Sequence, residues 1–388
     1  MADTDILIVG AGIGGLTAAL ALRHFGFRPR VIEQAPALVE VGAGIQISPN
    51  GFHVLTALGL GTALDAVSLR ANAVRLRDYR RGSDVAVLDL ARYGSPLGYR
   101  FFHRADLLHV LANACDAQGI PITTDCALTH IKTDRGVIET SQGDMRADII
   151  LGADGIHSKT RSFILGHTTP APFTGQVAWR ALVPNRIDHP NQAWVHMAPK
   201  RHIVTYPLRG GTMLNVVMVQ EQSDWSRDGW HLHDDASVVQ KTFGDFGGPV
   251  ADVIADIDEV HKWGLFRHPV APTWARGKVV MLGDAAHPTL PFMAQGAVQA
   301  IEDAWALAAS LAKSHDVASA FAAYQSLRLP RVRRVIATAS GNAWKYHLSF
   351  PPVRFAAHLG LRGMSKLMPA TMVRQFDWIY NYDITTSV

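Results

Sequence analysis

Three glycines spaced Gly10-x-Gly12-x-x-Gly15 separate the apolar run Ile6–Val9 from an Ala- and Leu-rich stretch, Leu16 to Phe25. A strand that meets a helix through such a turn leaves free N–H groups and a positive dipole end, which suit a pyrophosphate. Gly10 makes the tight turn, Gly12 lets the backbone approach the phosphates, and Gly15, next to Gly14, allows close helix packing. Glu33 lies eighteen residues beyond Gly15, at the end of the next apolar run, with Gln34 beside it. A carboxylate there can accept hydrogen bonds from an adenosine ribose. The spacing alone leaves NAD and FAD open. A second string, Gly283-Asp284-Ala285-Ala286-His287-Pro288, follows the apolar run Lys278–Leu282. Asp284 at a strand end suits a polyhydroxy ribityl chain, which FAD has and NAD lacks. Gly296-Ala297, opening the next helix, would stabilise negative charge on a reduced flavin. An ordinary strand–turn–helix and a capped helix behind a proline-stiffened loop are the plain structural readings of the two strings.

The elements that must position these residues follow from periodicity. Residues 6–33 read as strand, glycine turn, helix and strand, with Gly26 ending the helix. Residues 76–102 are shorter and polar-studded, and helical character returns at Arg104–Gln118. Strands are expected near 128–132, 136–141 and within Ala147–Gly152. The runs Gln176–Val183, Ala193–Met197, Ile203–Tyr206 and Met213–Val219 predict an antiparallel sheet. Ala297–Leu311 reads as a helix, and beyond 318 the chain reads as helical, broken at Pro330 and at Pro351-Pro352. The predicted class is α/β: a Rossmann-like FAD-binding domain with a β-rich substrate-domain insertion and C-terminal helices. It divides into a discontinuous FAD-binding part (1–75, 103–173, 276–340), a β-rich part (76–102, 174–275) and a helical end (341–388).

Three strings in order, Gly10–Gly15, Gly152-Ala153-Asp154-Gly155-Ile156-His157-Ser158 and Gly283–Pro288, carry a family resemblance. The chain resembles the class A FAD-dependent aromatic hydroxylases, the group of 3-hydroxybenzoate 6-hydroxylase, salicylate hydroxylase and 6-hydroxynicotinate 3-monooxygenase. The resemblance implies an NAD(P)H- and O₂-dependent monooxygenase that acts on a small phenolic or N-heteroaromatic acid through a flavin C4a-hydroperoxide. It also implies that Arg104 reaches the FAD, that Leu128 meets the adenosine part through backbone, and that Asp154 serves FAD and NAD(P)H. With one glycine-rich dinucleotide unit in the chain, NADH or NADPH would be a transient co-substrate.

Ring hydroxylation is helped by deprotonating the phenol, so a base near the hydroxyl is expected. His202 and Tyr206 are four apart in a predicted strand and so share a face. They look like the His and Tyr pair of the 3-hydroxybenzoate and hydroxynicotinate enzymes. A neutral imidazole can take the proton and a tyrosine hydroxyl can orient the ring. A surface histidine and a packed sheet tyrosine are the plain alternatives. Gln46 and Gln295 fall beside the expected flavin ring as candidate substrate contacts, or as loop residues. The hydroxynicotinate enzymes carry histidine at the positions of Gln46 and Phe292, so a pyridine substrate is disfavoured. His287 reads as a loop residue rather than a metal ligand, and Glu302-Asp303 as structural.

Composition closes off other classes. The 388 residues are 48% hydrophobic and 18% charged, which excludes a disordered chain. A net charge of +4 without like-charge runs gives no nucleic-acid signal. Two cysteines exclude a disulfide framework and suit a reducing compartment. No basic n-region with an apolar stretch opens the chain and no window of 18 apolar residues occurs, so a cytoplasmic protein, monomer or homodimer, is expected. The competing expectations are an FAD oxidase or reductase on a larger lipid or pigment, and a flavin-loaded sensor without turnover.

Overall fold

The computed structural model describes residues 4–38, 43–133, 136–168, 170–223, 225 and 232–387. Its first sheet has the strand order 275–276, 279–281, 149–152, 5–9, 28–32, 122–123. All neighbours run parallel except the 275–276 edge. The branched apolar strand Asp5–Val9 lies in the middle because it is buried on both faces, as parallel strands must be. In register, Val9 stands opposite Gly152, and Gly152 opposite Met281. The three motif strings therefore leave the sheet side by side at one edge, the carboxyl ends of the strands, where α/β sheets bind ligands. Helix Ile13–His24 packs beside helix Gly296–Lys313 over this sheet.

The second sheet has eight strands in the order 232–234, 260–266, 173–184, 213–221, 201–208, 192–198, 73–78, 84–89. The four central strands expected from sequence are antiparallel to one another. The sheet is not antiparallel throughout: Ala73–Asp78 joins Gln192–Ala198 in parallel, Val74 opposite Ala193. Such a pair needs a long crossover, and the intervening chain supplies strands 122–123 and 149–152 of the first sheet. A small sheet of Gly44–Ile47, Arg100–His103 and Ser68–Arg70 lies at the junction. This architecture is an α/β FAD-binding fold with a β-rich second layer and C-terminal helices.

Pro330 does not break the C-terminal helix, which runs unbroken from Val317 to Tyr346, whereas a new helix does start at Pro351. Proline removes one helical N–H and crowds the preceding turn. Here the proline lies between Arg328 and Arg331, and both guanidinium groups are tied into the helix 296–313. Arg328 donates to Glu302, to Asp303 (2.8 Å) and to Gln299 (2.8 Å), and Arg331 donates to both Glu302 oxygens (2.7 and 2.8 Å). Glu302, Asp303 and Arg328 are fully buried. Asn50 donates to Glu302 at 2.6 Å, and Asp303 takes the Gly283 N–H (3.0 Å) and the His287 ring. No described helix is long and apolar enough to cross a membrane.

Removing one partner of a buried ion pair strands the other. Arg328→Met should therefore cost about 3–5 kcal/mol in urea unfolding, and a loss below about 1 kcal/mol would show that the cluster does not hold the helices together. Burial alone would raise the Asp303 carboxyl, but His287 and Arg328 outweigh it and hold it at about 2, against 3.8 ordinarily. A depressed folded pKa gives stability that is full above the unfolded value and lost as pH falls through the folded one. Acid unfolding of the native protein should steepen between about 3.8 and about 2, and Asp303→Asn should flatten that part of the profile.

Candidate functional site

The cofactor cleft is built by close backbone approach. A side chain at Gly15 would put its Cβ 1.9 Å from the Gly10 carbonyl oxygen, and one at Gly10 would meet the Ala153 oxygen at 2.5 Å. Gly10 also has φ +104°, open only to glycine at low cost. Gly12 is different, since nothing lies within 4 Å of its Cβ position. That open space lies at the start of helix 13–24, which has no capping side chain and no acid in its first turn. The free N–H groups and dipole fit a pyrophosphate there. Glu33 accepts from the backbone N–H of Ala11 (2.7 Å) and of Ala35 (2.9 Å), which fixes its carboxylate beside the glycine turn. Gln34 is exposed next to it. Arg104 opens helix Arg104–Ala117, its N–H on the Ala43 carbonyl at 2.9 Å.

Asp284 is exposed on the turn after strand 279–281, facing the start of helix 296–313 at Gly296-Ala297. This helix also begins without a side-chain cap. Asp154 and Leu128 each engage partners within the protein. The Asp154 carboxylate accepts from Ser158 Oγ (2.6 Å) and the Thr160 N–H (3.0 Å), so it shapes the turn into helix 159–165. The Leu128 carbonyl accepts from Lys159 Nζ at 2.7 Å. The glycine turn, the open helix start, Glu33 and Asp284 together fit a dinucleotide with a ribityl chain.

A cavity of about 500 Å³ lies beyond the turn Pro291–Ala294, between one face of the eight-stranded sheet and the C-terminal helices. Its walls are chiefly aliphatic, and no lysine or arginine is among its described lining residues. His202 opens onto it, its ring 5.9 Å from Phe292 and 5.6 Å from Tyr346. Burial, and then neighbouring His347, holds the His202 imidazole well below its ordinary 6.5, so it is neutral at pH 7. His347 Nε2 lies 2.7 Å from His202 Nδ1. Gln46 lines the cavity and accepts from the Tyr99 hydroxyl at 2.9 Å. His358 lines its far side, 3.9 Å from Asp78.

Tyr206 shares the His202 face of strand 201–208, yet it stands one step behind the cavity wall. Its ring lies 4.9 Å from Phe101, its hydroxyl is bonded to Gln46, and burial pushes its pKa up. Gln295 turns away from the cavity altogether. Its amide donates to Ser48 Oγ (2.9 Å) and accepts from Asn50 (3.2 Å) and Gln299 (3.1 Å). Those partners continue to Glu302, so the residue belongs to the buried polar cluster. Nothing in the sequence singles out Tyr99, His347 or Tyr346. They arrive from segments with no local chemical signature. No cluster of His, Cys, Asp or Glu fit to hold a metal ion occurs among the described residues.

The chain is similar to known proteins. The profile of the family described as FAD binding domain covers residues 3–339. The 3-amino-4-hydroxybenzoate 2-monooxygenase of Streptomyces cremeus is 37% identical over 363 residues, 90% of this chain and 89% of that protein. The 3-hydroxybenzoate 6-hydroxylase of Polaromonas naphthalenivorans is 34% identical, over 89% of each. Among solved structures, Klebsiella pneumoniae HpxO complexed with FAD and uric acid superposes with a TM-score of 0.84 over 96% of both chains, at 24% identity, which shows the fold.

Gly12 and Gly15 separate folding from cofactor binding. Gly12→Val should fold with an unchanged melting temperature when free of FAD, because its Cβ meets open space, yet purify without flavin absorbance. Gly15→Val should destabilise the fold itself. A yellow, FAD-loaded Gly12→Val protein would displace the pyrophosphate from this turn.

Proposed function

The chain belongs to the FAD-binding aromatic monooxygenases, and from that premise we propose that it uses NAD(P)H and O₂ to hydroxylate a phenolic acid of the hydroxybenzoate class. The observation that carries this reading is a neutral, buried imidazole, His202, at the wall of a chiefly apolar cavity. FAD, once reduced, supplies the activation of oxygen. The protein supplies the rest.

His202 takes the phenol proton, which raises the electron density of the ring to be attacked. A neutral imidazole can do so directly, and the imidazolium and phenolate that form face each other as an ion pair inside the cavity. Gln46 spends its carbonyl oxygen on Tyr99 and another bond on the Tyr206 hydroxyl, so its remaining amide N–H is the one left for the carboxylate or hydroxyl of the ligand. Tyr206 acts through Gln46, holding that amide in place. The aliphatic walls and the C-terminal helices exclude water, which otherwise diverts activated oxygen into hydrogen peroxide. Relatives named for 3-hydroxybenzoate and 3-amino-4-hydroxybenzoate support the ring class, and the reaction favoured within it is of the 3-hydroxybenzoate 6-hydroxylase type.

NADH and NADPH oxidation by the FAD-loaded protein, measured with hydroxybenzoates, 3-amino-4-hydroxybenzoate, salicylate and hydroxynicotinates, tests the proposal directly. One acid should accelerate oxidation strongly while little peroxide forms. Peroxide in place of hydroxylated product with every acid would mark an oxidase instead. His202→Ala should keep its FAD but lose about 10²–10⁴-fold in coupled hydroxylation, the loss shrinking above the pKa of the phenol. Full coupled activity of that variant at neutral pH would remove His202 from the mechanism.

A further inference from the structure

His202 does not end its hydrogen bonding at His347. On the other side of the His347 ring, Nδ1 lies 2.9 Å from Glu221 Oε1. The His347 side chain is almost wholly buried, whereas that of Glu221 is 40% exposed. The three groups thus form one line from the cavity wall to solvent: His202 in strand 201–208, His347 just after helix 317–346, and Glu221 at the end of strand 213–221. Backbone bonds hold the far end. Lys200 N–H donates to the His347 carbonyl (3.2 Å) and Glu221 N–H to the Lys200 carbonyl (2.8 Å).

The direction of the line follows from valence. A carboxylate only accepts, so His347 must carry its proton on Nδ1 to donate to Glu221. Its Nε2 then bears a lone pair and must accept from His202 Nδ1–H. His202 Nε2 is left with a lone pair as the ring atom able to accept a proton. One exposed carboxylate thereby fixes two tautomers and arms the cavity histidine as a base, the way a buried acid orients the histidine of a hydrolytic triad. Burial lowers the pKa of both rings, His202 the further, and only Glu221 opposes this at His347. The other groups facing the pair are Tyr346 and Phe292 against His202.

We propose that Glu221 and His347 are the proton exit of the hydroxylation site, relaying to solvent the proton that His202 takes from the substrate; this rests on the reading of His202 as the base. The step balances without any co-reactant. The phenol O–H bond breaks and His202 Nε2–H forms, His202 Nδ1–H passes to His347 Nε2, and His347 Nδ1–H passes to Glu221, which releases a proton to water. Run backwards, the same line reprotonates the product phenolate and resets both tautomers. The buried cavity therefore stays free of net charge except for the phenolate itself.

Two measurements test the relay, one of which needs no substrate. In ¹⁵N-histidine spectra of the FAD-loaded protein, His202 and His347, identified through His202→Asn and His347→Asn, should both be neutral and protonated at Nδ1. In Glu221→Leu the His347 ring should lose that preference. Protonation of His347 at Nε2 in the native protein reverses the direction and overturns the proposal. The second measurement uses whichever aromatic acid drives NAD(P)H oxidation. His347→Gln should keep FAD and KM but lose about tenfold or more in kcat at neutral pH, recovering above the phenol pKa. Glu221→Gln should move the same way. If both variants keep the native pH profile while His202→Ala does not, the relay is wrong and the base assignment stands. If His202→Ala also keeps it, the base reading falls with the relay.

Discussion

Two acidic residues in the middle of a buried helix, Glu302 and Asp303, are the constraint to which the rest of the site answers. A carboxylate cannot stay ionised in an apolar core without partners, so each one dictates who must come close. Asp303 draws in the Gly283 N–H and the His287 ring, which fixes the turn that presents Asp284 to the cofactor cleft. Glu302 draws in Asn50 from the 49–57 helix, and through it the Ser48–Gln295–Gln299 network. Arg328 answers both acids and Arg331 answers Glu302, which brings the long C-terminal helix across. Arg331 then reaches the Trp378 and Ile379 carbonyls at 2.9 and 3.0 Å. The next residue, Tyr380, is part of the cavity wall. One charge cluster thus reaches both the cofactor turn and the cavity wall.

The cluster and the cavity divide the polar groups between them. Behind the turn 291–294, acids and guanidinium groups saturate one another. In front of it the cavity has an apolar lining, a few amide and hydroxyl groups, and the imidazoles of His202 and His358. An unpaired positive charge in that space would hold a phenolate tightly as ground state. A neutral base gains its effect only when the proton moves, so its interaction strengthens along the reaction coordinate. The absence of lysine and arginine from the described cavity wall is consistent with a site that binds by shape and works by proton transfer.

What the sequence made legible was local. The glycine turn with Glu33 and the Gly283–Pro288 string encode their geometry within a few residues, because strand, turn and helix start are contiguous there. His202 stood out because a strand of period two aims it and Tyr206 to one side. Pro330 was misleading for a physical reason: a helix breaker is read from the backbone, while the forces that override it come from Glu302 and Asp303, more than twenty residues earlier. Adjacent acids on a helix do face different ways, as the sequence suggests, but a single Arg328 fork spans both. The parallel pairing of 73–78 with 192–198 left no signal either, since it joins segments more than a hundred residues apart.

Gln295 and His347 show the same limit from opposite sides. Gln295 stands in the right string, yet its side chain satisfies Ser48 and Asn50, some 245 residues away, because a buried amide left facing aliphatic walls would forfeit those bonds. His347 stands in no string at all, and it acquires a role only because the fold sets it between His202, 145 residues before it, and Glu221, 126 before. Motifs mark where a cofactor is gripped, since backbone geometry must be encoded in place. Proton paths are assembled from whichever polar groups the packing aligns. A hydroxylase of this fold can therefore keep its three glycine-centred strings unchanged while the groups that move protons are exchanged around them.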